Sequence, residues 1–285
     1  MLFVQDQYQY LVTKSMTQEH YLVSQFENKE YLLKLESLVQ GQKCIVVGSL
    51  TAPAEQVLQL LLLLHSLREQ GALQVILFAP YLGYQRQDSF EIKTCCGLQW
   101  ADSMLFAAGV DQIITLETHC PSFLPLLKVP VIVHNSSIFF EEEMTYFIAA
   151  GFGFIFPDAG AVARSSWILE KFPQVNYGHF QKNRVHGVVQ FEKFQGKVGR
   201  KVMIVDDIVD SGQTLVQLCI ILRQLGVEEI VVFVTHAFFH GQAWNDLWSL
   251  GVKLLFCTNS LPKSDQVRHP QIQCKFINFL LQKYL

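Results

Sequence analysis

A pair of similar α/β domains, each a doubly wound parallel sheet, is the fold this sequence predicts, and three observations carry that prediction. Short unbroken apolar runs rich in Val and Ile alternate with segments of helical period, the pattern of strands buried on both faces. The order Lys43, strand, loop, helix, Gly71, strand recurs as Lys201, strand, loop, helix, Gly226, strand, so one architectural unit is used twice rather than stacked as a solenoid. The 285 residues, 50% hydrophobic and only 16% charged, suit two domains of about 140 residues with full cores.

Taken in order, residues 1–23 hold scattered aromatics without a clear period. A charged turn, FENKE at 26–30, leads into a strand at 31–35. A buried strand at 44–47 ends on Gly48 and Ser49. A helix over about 54–69 follows, with Val57, Leu58, Leu61 and Leu64 on its inner face and Gly71 as its stop. Strands at 75–78, 113–116 and 131–133 complete the first half. The second half opens with a helix near 138–150 and a strand at 152–156, then a polar stretch at 177–184 that reads as a solvated loop or a lid. A strand at 202–205 precedes a helix marked by Leu215, Leu218, Leu222 and Leu225 and closed by Gly226, with another strand at 230–234. The expected domains are 1–140 and 141–285, with a last helix at about 276–284 returning to pack on the first.

The bulk properties exclude several classes. A formal charge of −3 gives no reason to expect nucleic acid or an anionic membrane as partner. The leucines at 60–64 are far too few to span a bilayer, and the first residues lack the basic, apolar, small-residue order of a signal peptide. Seven scattered cysteines without a C-x-x-C pair favour reduced thiols in a cytoplasm, with Cys95 and Cys96 read as buried.

The chemistry concentrates at KVMIVDDIVDSGQTL, 201–215. The buried strand ends on Asp206 and Asp207, and a turn of Asp210, Ser211, Gly212, Gln213 and Thr214 opens the helix. A strand–loop–helix junction gathers backbone N–H groups and the positive end of the helix dipole into an anion site. Gly212 lets the backbone come close to a phosphate. Two carboxylates beside such a nest call for a ligand with both phosphate and hydroxyls, or for a metal, and a ribose phosphate meets that description. Elsewhere, PYLGYQRQD at 80–88 leaves a strand end with Arg86, Gln87 and Asp88. Arg86 could grip a triphosphate bidentately, although by itself the stretch reads equally as a solvated turn.

VDDIVDSGQT resembles the phosphoribosyl diphosphate (PRPP) loop of the phosphoribosyltransferase superfamily, with Gln213 in place of a small residue, which would crowd the loop. More specifically, PYLGYQRQD resembles the P-Y-x-x-Y-x-R-Q-D signature of the ribose-phosphate diphosphokinases, or PRPP synthetases. Other stretches are similar to that family in the same order. FENKE resembles its F-x-D-G-E adenine turn, with Asn28 and Lys29 substituted. TLETH at 115–119 resembles its strand ending in D-L-H, with Glu117 for the aspartate. FPDAGA at 156–161 resembles S-P-D-x-G-G. Lys182 and Arg184 match the K-x-R of its mobile catalytic loop, and TNS at 258–260 matches a terminal turn.

The resemblance implies an enzyme that moves the diphosphoryl group of ATP to the C1 hydroxyl of ribose 5-phosphate, giving PRPP and AMP, with Mg²⁺ as cofactor. It implies that Asp206 and Asp207 bind the ribose hydroxyls and that Asp210, Ser211, Gly212, Gln213 and Thr214 hold the 5-phosphate. Lys182, Arg184 and Arg86 would be catalytic. ATP would be bound by Phe26, Asn28, Glu30, Arg86, Gln87 and Asp88, and His119 and Asp158 would be metal-associated. The family also implies a homodimer or larger homo-oligomer, with the adenine turn supplied by a neighbouring subunit. No Walker P-loop is present, so charge neutralisation falls to Mg²⁺ and the three cations. A phosphoribosyltransferase that consumes PRPP, or a weakly active or regulatory relative, remain the alternatives.

Overall fold

The computed structural model describes the chain except residues 52, 88–94 and 186–187, and describes residues 182–185, 188–190 and 265 by backbone alone. It divides into two compact units, Met1–His134 with Ile277–Leu285, and Asn135–Phe276.

The first unit contains β1 (Leu2–Val4), β2 (Tyr21–Gln25), β3 (Tyr31–Leu35), β4 (Lys43–Val47), β5 (Gln74–Ala79), β6 (Gln112–Leu116) and β7 (Val131–His134). Five of these form a sheet in the order β1-β4-β5-β6-β7, every neighbouring pair parallel, while β2 and β3 make a separate antiparallel hairpin. The sequence gives no sign of β1, because three residues are too few to show a period. Pairing with β4 leaves all three buried. On β5 the side chains alternate between two layers. Val75, Leu77 and Ala79 share a core with α1 (Ala54–Glu69) and α2 (Gly97–Ala107). Phe78 instead meets Tyr284, at 6.4 Å between ring centroids.

The inner face of α1 differs from the expected one. Val57, Leu60, Leu63, Leu64 and Leu67 are buried, Leu61 is only partly so, and Leu58 is 49% exposed. Five consecutive leucines, Leu60 to Leu64, leave the phase of the apolar stripe open in sequence, and contact with the sheet chooses it. Cys95 is likewise exposed rather than buried, whereas Cys96 is buried.

The second unit runs through α3 (Ser137–Ala149), β8 (Gly153–Phe156), α4 (Ala159–Arg164), α5 (Ser166–Lys171), β9 (Tyr177–Val185), β10 (Val188–Gly196), β11 (Lys201–Val209), α6 (Gln213–Gln224), β12 (Glu229–Ala237), β13 (Val252–Thr258), α7 (Pro262–Gln266) and β14 (Ile272–Lys275). Its sheet has the order β10-β9-β8-β11-β12-β13-β14, antiparallel only between β9 and β10. Along β12, Ile230, Val232 and Val234 join the core shared with Leu215, Leu218 and Leu222 of α6. Phe233, on the opposite face, stacks on Phe256 at 4.8 Å and meets Phe140 of α3 at 5.5 Å. Helices thus cover both faces, as the continuous apolar strands require.

Three expectations change here. The stretch at 177–184 is a strand, paired with β10, not a loop. Its apolar anchor is Phe180, buried against Phe191 and Phe194 at 5.4 and 5.0 Å, a contact that exists only once the partner strand is in place. The central strand also runs past its acids to Val209, because Asp206, Ile208 and Val209 keep their pairing with β12 regardless of side-chain charge. The closing helix α8 (Asn278–Gln282) is shorter than expected and belongs to the first unit. There the Asn278 amide donates to the Tyr10 and Leu11 carbonyls at 3.2 and 2.8 Å. No described helix is long and apolar enough to cross a membrane.

The phase of α1 is testable. Leu63→Ala should destabilise the first unit by about 2–5 kcal/mol through lost burial and a cavity. Leu58→Ala should change stability by no more than about 0.5 kcal/mol. Denaturant unfolding of both variants checks this, and equal losses would contradict the observed face.

Candidate functional site

At the end of β11 the chain turns through Asp210 and Ser211 into Gly212, which stands in the left-handed region at φ 85° as the residue before α6. A Cβ there would meet Trp244 Cα at 2.7 Å and its backbone nitrogen at 2.9 Å, so glycine is needed for both conformation and space. The Gln213 N–H donates to Ser211 Oγ at 3.4 Å, and the Gln213 side chain is exposed, so the expected crowding does not arise. The N–H groups of the first turn of α6 and Asp210, Ser211, Gly212, Gln213 and Thr214 are thereby gathered at one strand end.

Asp206 and Asp207 share one cation. Arg164 Nη2 lies 3.4 Å from Asp206 Oδ1 and 3.2 Å from Asp207 Oδ1, with the Arg164 side chain only 11% exposed. Burial pushes the Asp206 carboxyl well above the ordinary carboxylate range, the neighbouring Asp207 charge adds to this, and Arg164 opposes it. Burial works against the Arg164 charge, but Asp207, Asp206 and Asp158 together hold its pKa above the usual guanidinium value. Asp158 is the N-cap of α4, its Oδ1 accepting from the Ala161 N–H at 2.8 Å. A Cβ on Gly160 would stand 3.0 Å from both Arg164 Nη1 and Asp158 Oδ1, so this glycine makes room for the ion-pair cluster. Arg164 lies three residues past the FPDAGA stretch, outside the motif. The helical turn that carries it back toward the acids was the available signal.

Near the turn after β12, His240 Nδ1 lies 2.7 Å from Asp210 Oδ1. This residue was also missed, since nothing in the sequence ties position 240 to position 210. Lys182 and Arg184 lie on β9 with Phe191 and Val189 as their β10 partners. Their side chains lie outside the described residues.

In the first unit the loop after β5 is anchored by a glutamine. Gln85, 1% exposed, accepts the His119 N–H at 2.8 Å and so ties the loop to the end of β6. Arg86 and Gln87 are exposed on the same loop, Gln87 accepting the Gly97 N–H at 2.8 Å through its carbonyl, while Asp88 lies outside the described residues. Tyr84, at φ 64°, sets its ring edge-on to Trp100 at 4.7 Å. Glu117 is buried at φ 54°, donating its N–H to the His134 carbonyl at 2.8 Å. The β2–β3 tip carries Phe26, Asn28 and Glu30, all exposed, with the Asn28 side chain accepting the Glu30 N–H at 3.1 Å. His119 therefore stands in the first unit and Asp158 in the second. Among the described residues no group of three or more His, Cys, Asp or Glu is gathered for a metal ion.

Comparison with known proteins bears on these arrangements. Residues 8–109 match the profile of the N-terminal domain of ribose phosphate pyrophosphokinase, and residues 148–248 match that of the phosphoribosyl transferase domain. Ribose-phosphate pyrophosphokinase of Xylella fastidiosa is 27% identical over 253 residues, 87% of this chain and 79% of that protein. The proteins of the same description from Xanthomonas axonopodis and Haemophilus ducreyi are each 26% identical over 87% and 86% of this chain and 79% of their own length. The crystal structure of phosphoribosylpyrophosphate synthetase from Mycobacterium smegmatis superposes with a TM-score of 0.86 at 22% identity, covering 100% of this chain and 96% of that one, which shows the same paired fold. With both domain profiles in that order on one chain and relatives matched along most of their length, the chain belongs to the ribose-phosphate pyrophosphokinase family.

Proposed function

We propose that the chain is a ribose-phosphate diphosphokinase, transferring the diphosphoryl group of ATP to ribose 5-phosphate to give PRPP and AMP. The observation that carries this reading is the end of β11, where two carboxylates, a left-handed glycine and the N-terminus of α6 meet within nine residues, 206–214. The ribose hydroxyls go to Asp206 and Asp207, and the 5-phosphate to the backbone donors from Asp210 to Thr214. The C1 oxygen attacks the β-phosphorus, the bond from that phosphorus to the α,β-bridging oxygen breaks, and AMP leaves with the electron pair. The attacking hydroxyl gives up its proton to solvent. Lys182, Arg184 and Arg86 offset the charge that builds on the diphosphoryl oxygens. Phe26 offers an exposed aromatic face for adenine, with Asn28 and Glu30 beside it, in a neighbouring subunit of a homo-oligomer. Gln87 and Asp88 complete the ATP side.

The residues present fit Mg²⁺ of the kind that arrives with a nucleotide. That ion needs only one or two protein carboxylates when phosphates supply the remaining oxygens, so a dedicated cage is unnecessary. Asp158 supplies such a carboxylate, and His119, a nitrogen donor, suits a bound water better than the ion itself. When bound, Mg²⁺ neutralises triphosphate charge. The proposed reaction belongs to nucleotide biosynthesis and to the cytoplasm. Glu117, buried in a left-handed conformation where the family has aspartate, supports the second reading of a weakly active relative.

Asp206→Asn together with Asp207→Asn should abolish ribose 5-phosphate binding by calorimetry without unfolding the chain; normal binding would remove the loop assignment. The single change Asp206→Asn has a second consequence. A carboxyl whose folded pKa is raised contributes stability below its unfolded pKa and loses that contribution as pH rises through the folded value. Asp206→Asn should therefore melt higher than wild type at neutral pH. The gain should vanish below about pH 4, the ordinary carboxylate range. Arg164→Ala should do the reverse, costing about 3–5 kcal/mol at neutral pH because it leaves buried acids without their cation. Thermal unfolding against pH reads all three variants.

The catalytic assignment is tested at Lys182. A donor that acts on developing charge changes turnover rather than substrate affinity. Lys182→Ala should lower kcat about a hundredfold or more, on the order of 3 kcal/mol, with KM for ribose 5-phosphate nearly unchanged in an AMP-release assay. Lys182→Arg should recover only part of the loss. A change of about twofold or less would exclude a catalytic role, and a wild type without turnover would favour the weakly active reading.

A further inference from the structure

The turn that leaves β12 is fastened to the entrance of the sugar-phosphate loop. Phe238 donates its N–H to the Val209 carbonyl at 2.8 Å, and His240 donates its N–H to the Asp210 carbonyl at 3.0 Å, so residues 238–240 prolong the pairing of β11 and β12 beyond both strands. Between them Phe239 is fully buried at φ 49°, a left-handed conformation unfavourable to an aromatic residue. Its ring packs 5.0 Å from that of Trp244, whose main chain lies against Gly212. This sharp, anchored turn aims the His240 side chain at the loop, with Nδ1 2.7 Å from Asp210 Oδ1.

Asp210 presents a difficulty for an anion site. A carboxylate at the mouth of a phosphate cradle repels a phosphate monoester dianion, and like charges close together disfavour each other's ionised form. A cation bonded to that carboxylate removes the repulsion. Among the described residues, the imidazole meets the Asp210 carboxylate and the Phe238 ring, the latter at 5.4 Å. The first turn of α6 carries no charged residue, and the segment Ala243–Leu247 carries one, Asp246.

We propose that His240 is a positioning residue for the 5-phosphate: held on Asp210, it takes up a proton when a sugar phosphate monoester occupies the loop, and the imidazolium cancels the Asp210 charge. This rests on the reading of the loop as a sugar-phosphate site. It gives the loop a preference for dianionic monoesters through a residue outside the loop itself.

The probe is ribose 5-phosphate, titrated calorimetrically into the full chain in two buffers of different ionisation heat. Wild type should take up more protons on binding than His240→Asn, whose amide can still bond Asp210 but cannot charge. The variant should bind about three- to fivefold more weakly at about pH 6, and within about 1.5-fold of wild type at about pH 8.5, on either side of the range in which imidazoles change charge. Taking the ratio of variant to wild type cancels the titration of the substrate phosphate. In the AMP-release assay the variant should raise KM for ribose 5-phosphate with kcat changed less than about twofold. Folding is not at stake, since the His240 side chain is 64% exposed, and an unchanged melting temperature verifies it. Equal proton uptake in both proteins, or the same affinity ratio at both pH values, overturns the inference while leaving the sugar-phosphate reading intact. A wild type that binds no ribose 5-phosphate at either pH overturns both.

Discussion

Two carboxylates at the end of a strand buried on both faces repel each other and lose hydration, and the second unit is arranged around keeping them there. One guanidinium, from Arg164, reaches both Asp206 and Asp207. It can do so because α4 ends on that arginine, because Asp158 caps the start of the helix, and because Gly160 has no Cβ to fill the gap between them. Removing any of these leaves charge buried without a partner, which costs more than the pairing gains. The strain is retained at the place where a polyhydroxylated anion would be received, which is the usual trade of stability for function.

The same trade appears in the backbone. Among the described residues four that are not glycine have positive φ: Lys29, Tyr84, Glu117 and Phe239. Tyr84 follows β5, Glu117 follows β6 and Phe239 follows β12, each at the carboxyl end of a parallel strand, while Lys29 turns the β2–β3 tip. Each costs on the order of 1–3 kcal/mol and persists only where its surroundings over-determine it. The surroundings here are sheets whose strands are buried on both faces. The rigidity of those sheets lets irregular loops collect at the ends where open α/β folds bind their ligands. Gln85 shows how the loops are in turn braced, by a buried side chain that accepts a main-chain N–H across two strand ends.

The family resemblance and the fold come from local and repeating features, and these were legible. The strands at 44–47, 75–78, 202–205 and 230–234 announced themselves because a strand buried on both faces needs an unbroken apolar run. The helix after Gly212 announced itself through leucines at helical spacing and a terminal glycine. The acids at 206 and 207 stood out because charge at the end of such a run has no place in a core.

What the amino-acid order determined by itself was therefore the set of elements, their parallel character, and the two stretches that name the family. Tertiary structure decided what depends on a partner distant in sequence. The face of α1 was open because five leucines fit more than one phase, and only the sheet selected Leu60, Leu63, Leu64 and Leu67. The strand nature of 177–185 was hidden because its polar residues look solvated until β10 lies beside them and Phe180 is enclosed. Arg164 was marked by no more than its place one helical turn past Gly160, and His240 by nothing, since a charge is satisfied through space: one lies 42 residues before Asp206 and the other 30 after Asp210. Periodicity is a local property that sequence carries, whereas the neutralisation of a buried charge is settled by whatever the completed fold brings within about 4 Å.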